Sequence, residues 1–178
     1  MRVTGGDKQR LVFHVPTRSL IGYHGEFMTD TRGTGVMNRV YHSYAPYRGE
    51  IERRRVGVMI SREIGRSVPY ALWNLEERGP LFIGAGEDVY CGMIIGEHNK
   101  GNDLDVNPLR AKQLTNIRAA GKDEAVVLTT PLRMTLEKAI AYIDDDELVE
   151  VTPGSIRLRK RHLDPVARKR AGKRSAVA

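Results

Sequence analysis

The chain has 178 residues, 40% hydrophobic and 29% charged, enough for one ordinary domain or for one domain and part of another. No run approaches the roughly 18 apolar residues of a membrane-spanning helix, and the opening MRVTGGDKQR lacks the apolar stretch of a secretory signal. The net charge of +7 is uneven: Arg157 to Arg174 holds nine basic residues and one acid, for +8, so the remainder of the chain carries −1.

Gln9–Val15 (QRLVFHV) reads as a strand that Pro16 ends. Thr17 or Ser19 can cap a following helix on which Leu20, Ile21, His24, Phe27 and Met28 share a side. Arg32-Gly33-Thr34-Gly35 stops that helix, and Val36–Tyr44 reads as a second strand. Strand, helix and strand make a split βαβ unit, too small to bury both of its faces alone. Ala45–Gly49 reads as a boundary.

Val56–Ser61 is expected as a short strand, and Val68–Arg78 as a short helix ended by Gly79-Pro80. Trp73, the only tryptophan, is expected as a core or interface anchor, with a base-stacking platform as the alternative. Leu81–Gly84 and Val89–Gly96 read as strands, and the lone Cys91 among them as a small core residue that has no partner for an internal disulfide. That cysteine usage leads to a reducing, cytoplasmic setting as the expectation. Thr130-Pro131 has the chemistry of a helix start, with Leu132, Leu136, Ala139, Ile140 and Ile143 facing a core. Asp144–Glu147 is expected as a solvated turn. Glu147–Thr152 and Ser155–Lys160 flank Pro153-Gly154 as a hairpin, with Ile156 and Leu158 on one face and Arg157 and Arg159 on the other. The basic tail, residues 161–178, is expected to be partly disordered.

Between Val89–Gly96 and Ala125–Leu128, itself read as a strand, lies a long loop, His98–Lys122. Connections of this length in compact domains are usually functional. From Arg110 to Lys122 it holds four basic side chains and no acid. Arg110, Lys112, Arg118 and Lys122 offer charge to phosphates, and Gln113, Thr115 and Asn116 can bond phosphates, 2′-hydroxyls or base edges. Lys100 and Asn102 add donors at the loop's start. This composition suits RNA, and Arg159, Lys160 and Arg161 are candidate further contacts at the tail.

Other chemistry finds less support. A P-loop needs GxxxxGK[ST], but Gly121-Lys122 is followed by Asp123 and Gly172-Lys173 by Arg174, and neither has a glycine five positions before its own. His14, His24, His42, His98 and His162 show no metal-ligand spacing, and the first three are expected as satisfied polar residues of the βαβ unit. The Asp144–Glu147 run could gather a hard cation only if four consecutive acids aimed at one centre, which neither a helix end nor a strand allows. No catalytic residue, metal site or cofactor is assigned to this chain.

The stretch RLVFHVPTRSLIGYHGEFMTDTRGTGVMNRVYHSYAPY resembles the second half of domain V of elongation factor G-type translational GTPases. Pro16, the Leu20-Ile21-Gly22-Tyr23 helix start and the Thr31-Arg32-Gly33-Thr34-Gly35 turn carry that match. GEDVYCGMIIGEHNKGNDLDVNPLRAKQLTNIRAAGKDEAVVLTTP and TLEKAIAYIDDDELVEVTPGSIRLRKR resemble the C-terminal domain of the BipA (TypA) family of ribosome-associated translational GTPases. The resemblance implies an α+β chain. Residues 1–48 would be half of a ferredoxin-like domain V, and 49–160 a mostly β domain with two or three helices. It implies a role in translation under stress and in ribosome assembly. The loop would reach 23S ribosomal RNA near the peptidyl-transferase centre and the A-site tRNA. GTP and Mg²⁺ would belong to a GTPase half that is not in this chain. The other class of function left open is a protein-binding module that pairs, or self-associates, through exposed strand edges of the βαβ unit.

Overall fold

The computed structural model describes residues 2–3, 9–47, 49, 54, 56–112 and 127–175. The chain divides into two compact units, Met1–Glu52 and Arg53–Ala178. Both helices and strands contribute, so the expected α+β class stands.

In the first unit, β1 (Arg2–Val3) pairs antiparallel with β2 (Gln9–Arg10). A 3-10 turn at Thr17–Leu20 leads into α1 (Tyr23–Asp30), which starts at Gly22 and closes where Gly33 N–H donates to Met28 O at 2.8 Å. Two expectations are corrected here. The strand foreseen over Gln9–Val15 is a strand only at Gln9–Arg10, and Val36–Tyr44 joins no ladder among the described residues. The physical reason lies in burial: Val36 and Val40 are 83% and 89% exposed, and a strand with no covered face has little to hold it.

The second unit is built on a five-stranded mixed sheet in the order β7 (Leu104–Val106), β3 (Gly57–Ser61), β6 (Met93–His98), β9 (Ile156–Lys160), β8 (Glu147–Val151). A small pair, β4 (Gly65–Arg66) with β5 (Asp88–Val89), lies beside it in sequence. β3 is buried along its whole length because both faces of the sheet are covered, which is why GVMIS is apolar almost throughout. Met59, Ile95 and Met93 pack on one face with Leu72 of α2 (Pro69–Glu76). Val58, Ile60, Ile94 and Leu158 pack on the other with Ala139 of α3 (Leu136–Tyr142). Pro69 sits in the first turn of α2, where its missing N–H costs no hydrogen bond.

Several boundaries differ from those the sequence suggested. Val89–Gly96 is broken at Tyr90–Gly92 by a turn in which Met93 N–H donates to Tyr90 O. Leu81–Gly84 contributes a single bridge, Leu81 to Gly96. The helix foreseen at Thr130-Pro131 begins at Thr135, whose Oγ1 accepts from Lys138 N–H, because Leu132 N–H is committed to Leu81 O at 2.8 Å. Its buried side is therefore Ala139, with Tyr142 and Ile143 packed partly against the core, while Leu132, Leu136 and Ile140 stay exposed. The first two residues of Ala125–Leu128 lie outside the described residues, and Val127–Leu128 is not strand.

The basic tail, expected to be partly disordered, carries a helix, α4, at Pro165–Ser175. Asp164 Oδ2 accepts from Ala167 N–H at its start. Arg168 pairs with Asp105 on β7 and donates to Leu163 O at 2.6 Å. The chain before α4 runs so close to the sheet that a Cβ at Gly92 would stand 2.7 Å from Leu163 Cα.

Candidate nucleic-acid interface

The segment His98–Lys122 is not one loop. His98 is buried, and its Nδ1–H donates to Asn102 O at 2.6 Å, closing a tight turn that carries Lys100 and Asn102 on the surface. Gly57 N–H donates to Lys100 O at 2.7 Å, and a Cβ at Gly57 would stand only 2.2 Å from Asn102 O, so this turn lies directly on the start of β3. β7 then runs parallel to β3, Met59 opposite Leu104. Only after Val106 does the chain leave the sheet.

The exit is fixed by α2. Val68 N–H, at the head of that helix, donates to Pro108 O at 3.0 Å, and Pro108 is buried. Asn107 Oδ1 accepts from Leu109 N–H at 2.8 Å, and Leu109 packs on the core beside Leu72 and Leu75. Arg110 and Lys112 follow, both exposed. Gln113, Thr115, Asn116, Arg118 and Lys122 lie outside the described residues. The chain re-enters at Val127, and the foot of α2 receives it. Thr129 donates from its N–H and its Oγ1 to Glu76 Oε1, at 2.7 and 2.6 Å, and Leu128 packs on the same core cluster as Leu109. Both stems of the basic segment are thus bonded to opposite ends of one short helix.

The tail candidates separate. Arg161 is exposed. Arg159 is half-buried and lies 3.9 Å from Glu150. Lys160, expected as an RNA contact, is corrected: it is 2% exposed, and its Nζ meets Asp103 at 2.6 Å, Asp146 at 2.9 Å and Glu147 at 2.9 Å. A cation buried among three carboxylates has no face left for phosphate. Glu147, expected in a solvated turn, is buried at the centre of this group. Arg54 grips both of its oxygens, one at 2.6 Å, and donates to Tyr142 O at 3.3 Å. Burial pushes the Glu147 carboxyl up, but the hydrogen bonds from Arg54 and Lys160 outweigh it and hold the group below the usual carboxylate range. Burial likewise works against the charged Lys160, and its carboxylate partners outweigh that, so its ammonium is held more firmly than usual. The group is structural, joining β8, β9, the turn before β7 and the chain at Arg54.

One feature escaped sequence reasoning: helix α4 presents Lys169, Arg170 and Lys173 on its exposed surface. Trp73, expected as a core or interface anchor with a stacking platform as the alternative, stands 49% exposed on α2, which removes the core reading. Among the described residues no group of three or more His, Cys, Asp or Glu is placed to hold a metal ion, and no helix is long and apolar enough to cross a membrane.

Comparison with known proteins gives two family matches. The model for the elongation factor G C-terminus matches residues 1–55, and that for the TypA/BipA C-terminal domain matches residues 56–165. Among curated proteins, the chain is 53% identical over 174 residues to the large ribosomal subunit assembly factor BipA of Escherichia coli (strain K12), covering 97% of this chain and 29% of that protein. It is 52% identical over 170 residues to the protein of the same name from Haemophilus influenzae, covering 95% of this chain and 28% of that protein. With the Buchnera aphidicola protein of that name it shares 52% over 165 residues, 92% of this chain and 27% of that one. The chain therefore spans less than a third of the length of these relatives.

Proposed function

The chain belongs to the TypA/BipA family, and from that premise we propose that it is a ribosome-docking segment that engages the large subunit through RNA. The observation that carries this reading is the basic, acid-free stretch from Arg110 to Lys122 held at both stems by α2. A polycation on fixed stems loses less freedom on binding than one on a free tail. In this reading Arg110, Lys112, Arg118 and Lys122 meet phosphates, and Gln113, Thr115 and Asn116 meet 2′-hydroxyls or base edges of 23S ribosomal RNA near the peptidyl-transferase centre and of A-site tRNA. Lys100, Arg161 and the exposed face of α4 supply further charge, and Asn102 a further hydrogen-bond donor. The setting is the cytoplasm, in ribosome assembly and in translation under stress. GTP and Mg²⁺ act on another part of the longer protein.

Replacing Arg110, Lys112 and Arg118 together by Ala is expected to abolish co-sedimentation with ribosomes while thermal unfolding stays unchanged. Four phosphate contacts predict a loss of roughly two decades of affinity between 50 and 200 mM salt. Undiminished co-sedimentation of the triple variant at physiological salt overturns the reading.

A second reading, self-association through the first unit, is favoured by one observation: Leu11, Val12, Phe13, Val36, Val40, Tyr41 and Tyr44 all stand exposed there.

A further inference from the structure

Trp73 is the chain's only tryptophan, and about half of it is open to solvent. The opposite side of α2 is fully used, since Ala71 and Leu72 are buried in the core. Tyr70 lies one turn back, its ring centroid 6.3 Å from that of Trp73 with the planes at 39°. An exposed indole and a half-buried phenol ring thus adjoin on a helix whose other exposed positions are Pro69 and Asn74, with exposed Glu77 and Arg78 just beyond its end. This is too narrow for the broad apolar face that a protein partner would bury.

Position gives the pair its meaning. The basic segment leaves α2 at Val68 and returns at Glu76. Trp73 falls between, about 7.5 Å along the axis from the first and about 4.5 Å from the second. Trp73 and Glu76 are three residues apart and so are neighbours on the helix surface, and Glu76 is the residue that holds the stem at Thr129. A ligand that meets the exposed cations following Pro108 and a flat apolar face on the helix that holds both stems must be anionic along its backbone and carry flat faces itself. An unpaired RNA strand has both properties, whereas a duplex hides its base faces in its own stack.

We infer that Trp73, edged by Tyr70, is a stacking platform for an unpaired base of the RNA that the Arg110–Lys122 segment holds. This rests on the RNA-binding reading above and adds a residue and a preference to it: single strand over duplex, with a base laid on the indole.

The sole tryptophan makes the test direct. The full chain is titrated with a fluorescently labelled 12-nucleotide oligoadenylate and with the blunt duplex of the same sequence. Labelled-RNA anisotropy reports binding and intrinsic emission reports Trp73. Saturable quenching that tracks single-strand binding, with no quenching by bound duplex, is the expected result. Trp73→Ala should weaken single-strand binding about 5- to 100-fold at an unchanged salt slope, with Trp73→Phe between it and the parent. Arg110→Ala should instead lower that slope by about 0.7. Single-strand binding with unaltered emission, or a Trp73→Ala variant of parental affinity and parental melting temperature, overturns the platform and leaves RNA binding standing. Failure of either RNA to bind at low salt overturns both.

Discussion

The residues that repay closest reading are Arg54, Glu147 and Lys160. Removing one member of a buried, hydrogen-bonded ion group strands its partners, so Glu147→Ala should cost about 3–5 kcal/mol of stability. Its pH dependence follows from the directions of the shifts. The Glu147 carboxyl is depressed in the fold, so its contribution is complete above its ordinary pKa of 4.5 and is lost as pH falls through the lower folded value. The Lys160 ammonium is raised above 10.5, so its contribution is complete below that pH and is lost as pH climbs through the folded value. Melting temperature against pH should therefore be level between those limits for this group, and Glu147→Gln should flatten the acid limb. Retention of the parental acid limb in that variant would show that other carboxylates set it. This pairing was legible in part. A two-residue turn at Pro153-Gly154 fixes the register that sets Glu147 opposite Lys160. What the sequence does not carry is the third side of the group, Arg54 and Asp103, which arrive from the chain before β3 and from the turn before β7, both far off in sequence.

At the scale of elements, α4 and α2 show opposite kinds of legibility. The run Arg168-Lys169-Arg170 reads as a solvated tail because like charges repel and a helix of 11 residues is marginal alone. Yet Asp164-Pro165 is a helix-start signal in the sequence, and the side chain at Asp164 does cap. The ion pair from Arg168 to Asp105 then ties the helix to β7. Arg168→Ala should release it: far-UV ellipticity falls by about one short helix, trypsin cuts the tail faster, and the main melting transition shifts by less than about 1 kcal/mol. Unchanged trypsin sensitivity would mean that packing near Leu163 and Gly92 suffices. Helix α2, expected over Val68–Arg78 and ended by Gly79-Pro80, is found within that span at Pro69–Glu76, but nothing in the pattern announces its role as a clamp. The contact at Val68 is made by backbone atoms alone, which leave no trace in side-chain patterning, and Glu76 takes the other stem from Thr129, a partner far off in sequence.

For the whole molecule, the two units differ in what holds them. The second has a sheet covered on both faces. In the first, no described side chain is buried, and the exposed residues include five aromatics and several β-branched ones. Strand periodicity predicted Val36–Tyr44 correctly as apolar in pattern and wrongly as a strand, because pattern alone does not supply a neighbouring strand. If this surface mediates self-association, light scattering at rising concentration should show a dimer that Val12→Lys with Val40→Lys disperses. A strict monomer at high concentration removes that reading.

The clamp on the basic segment has a consequence for how this family can vary. Closing a loop is a one-time entropic cost that grows only with the logarithm of its length, about 0.6 kcal/mol for each doubling. With Pro108 and Thr129 held by α2, the ends of the segment are fixed whatever lies between them. Residues there can be lengthened, shortened or exchanged with little penalty to the sheet beneath, which makes this the natural place to graft a different sequence onto the domain.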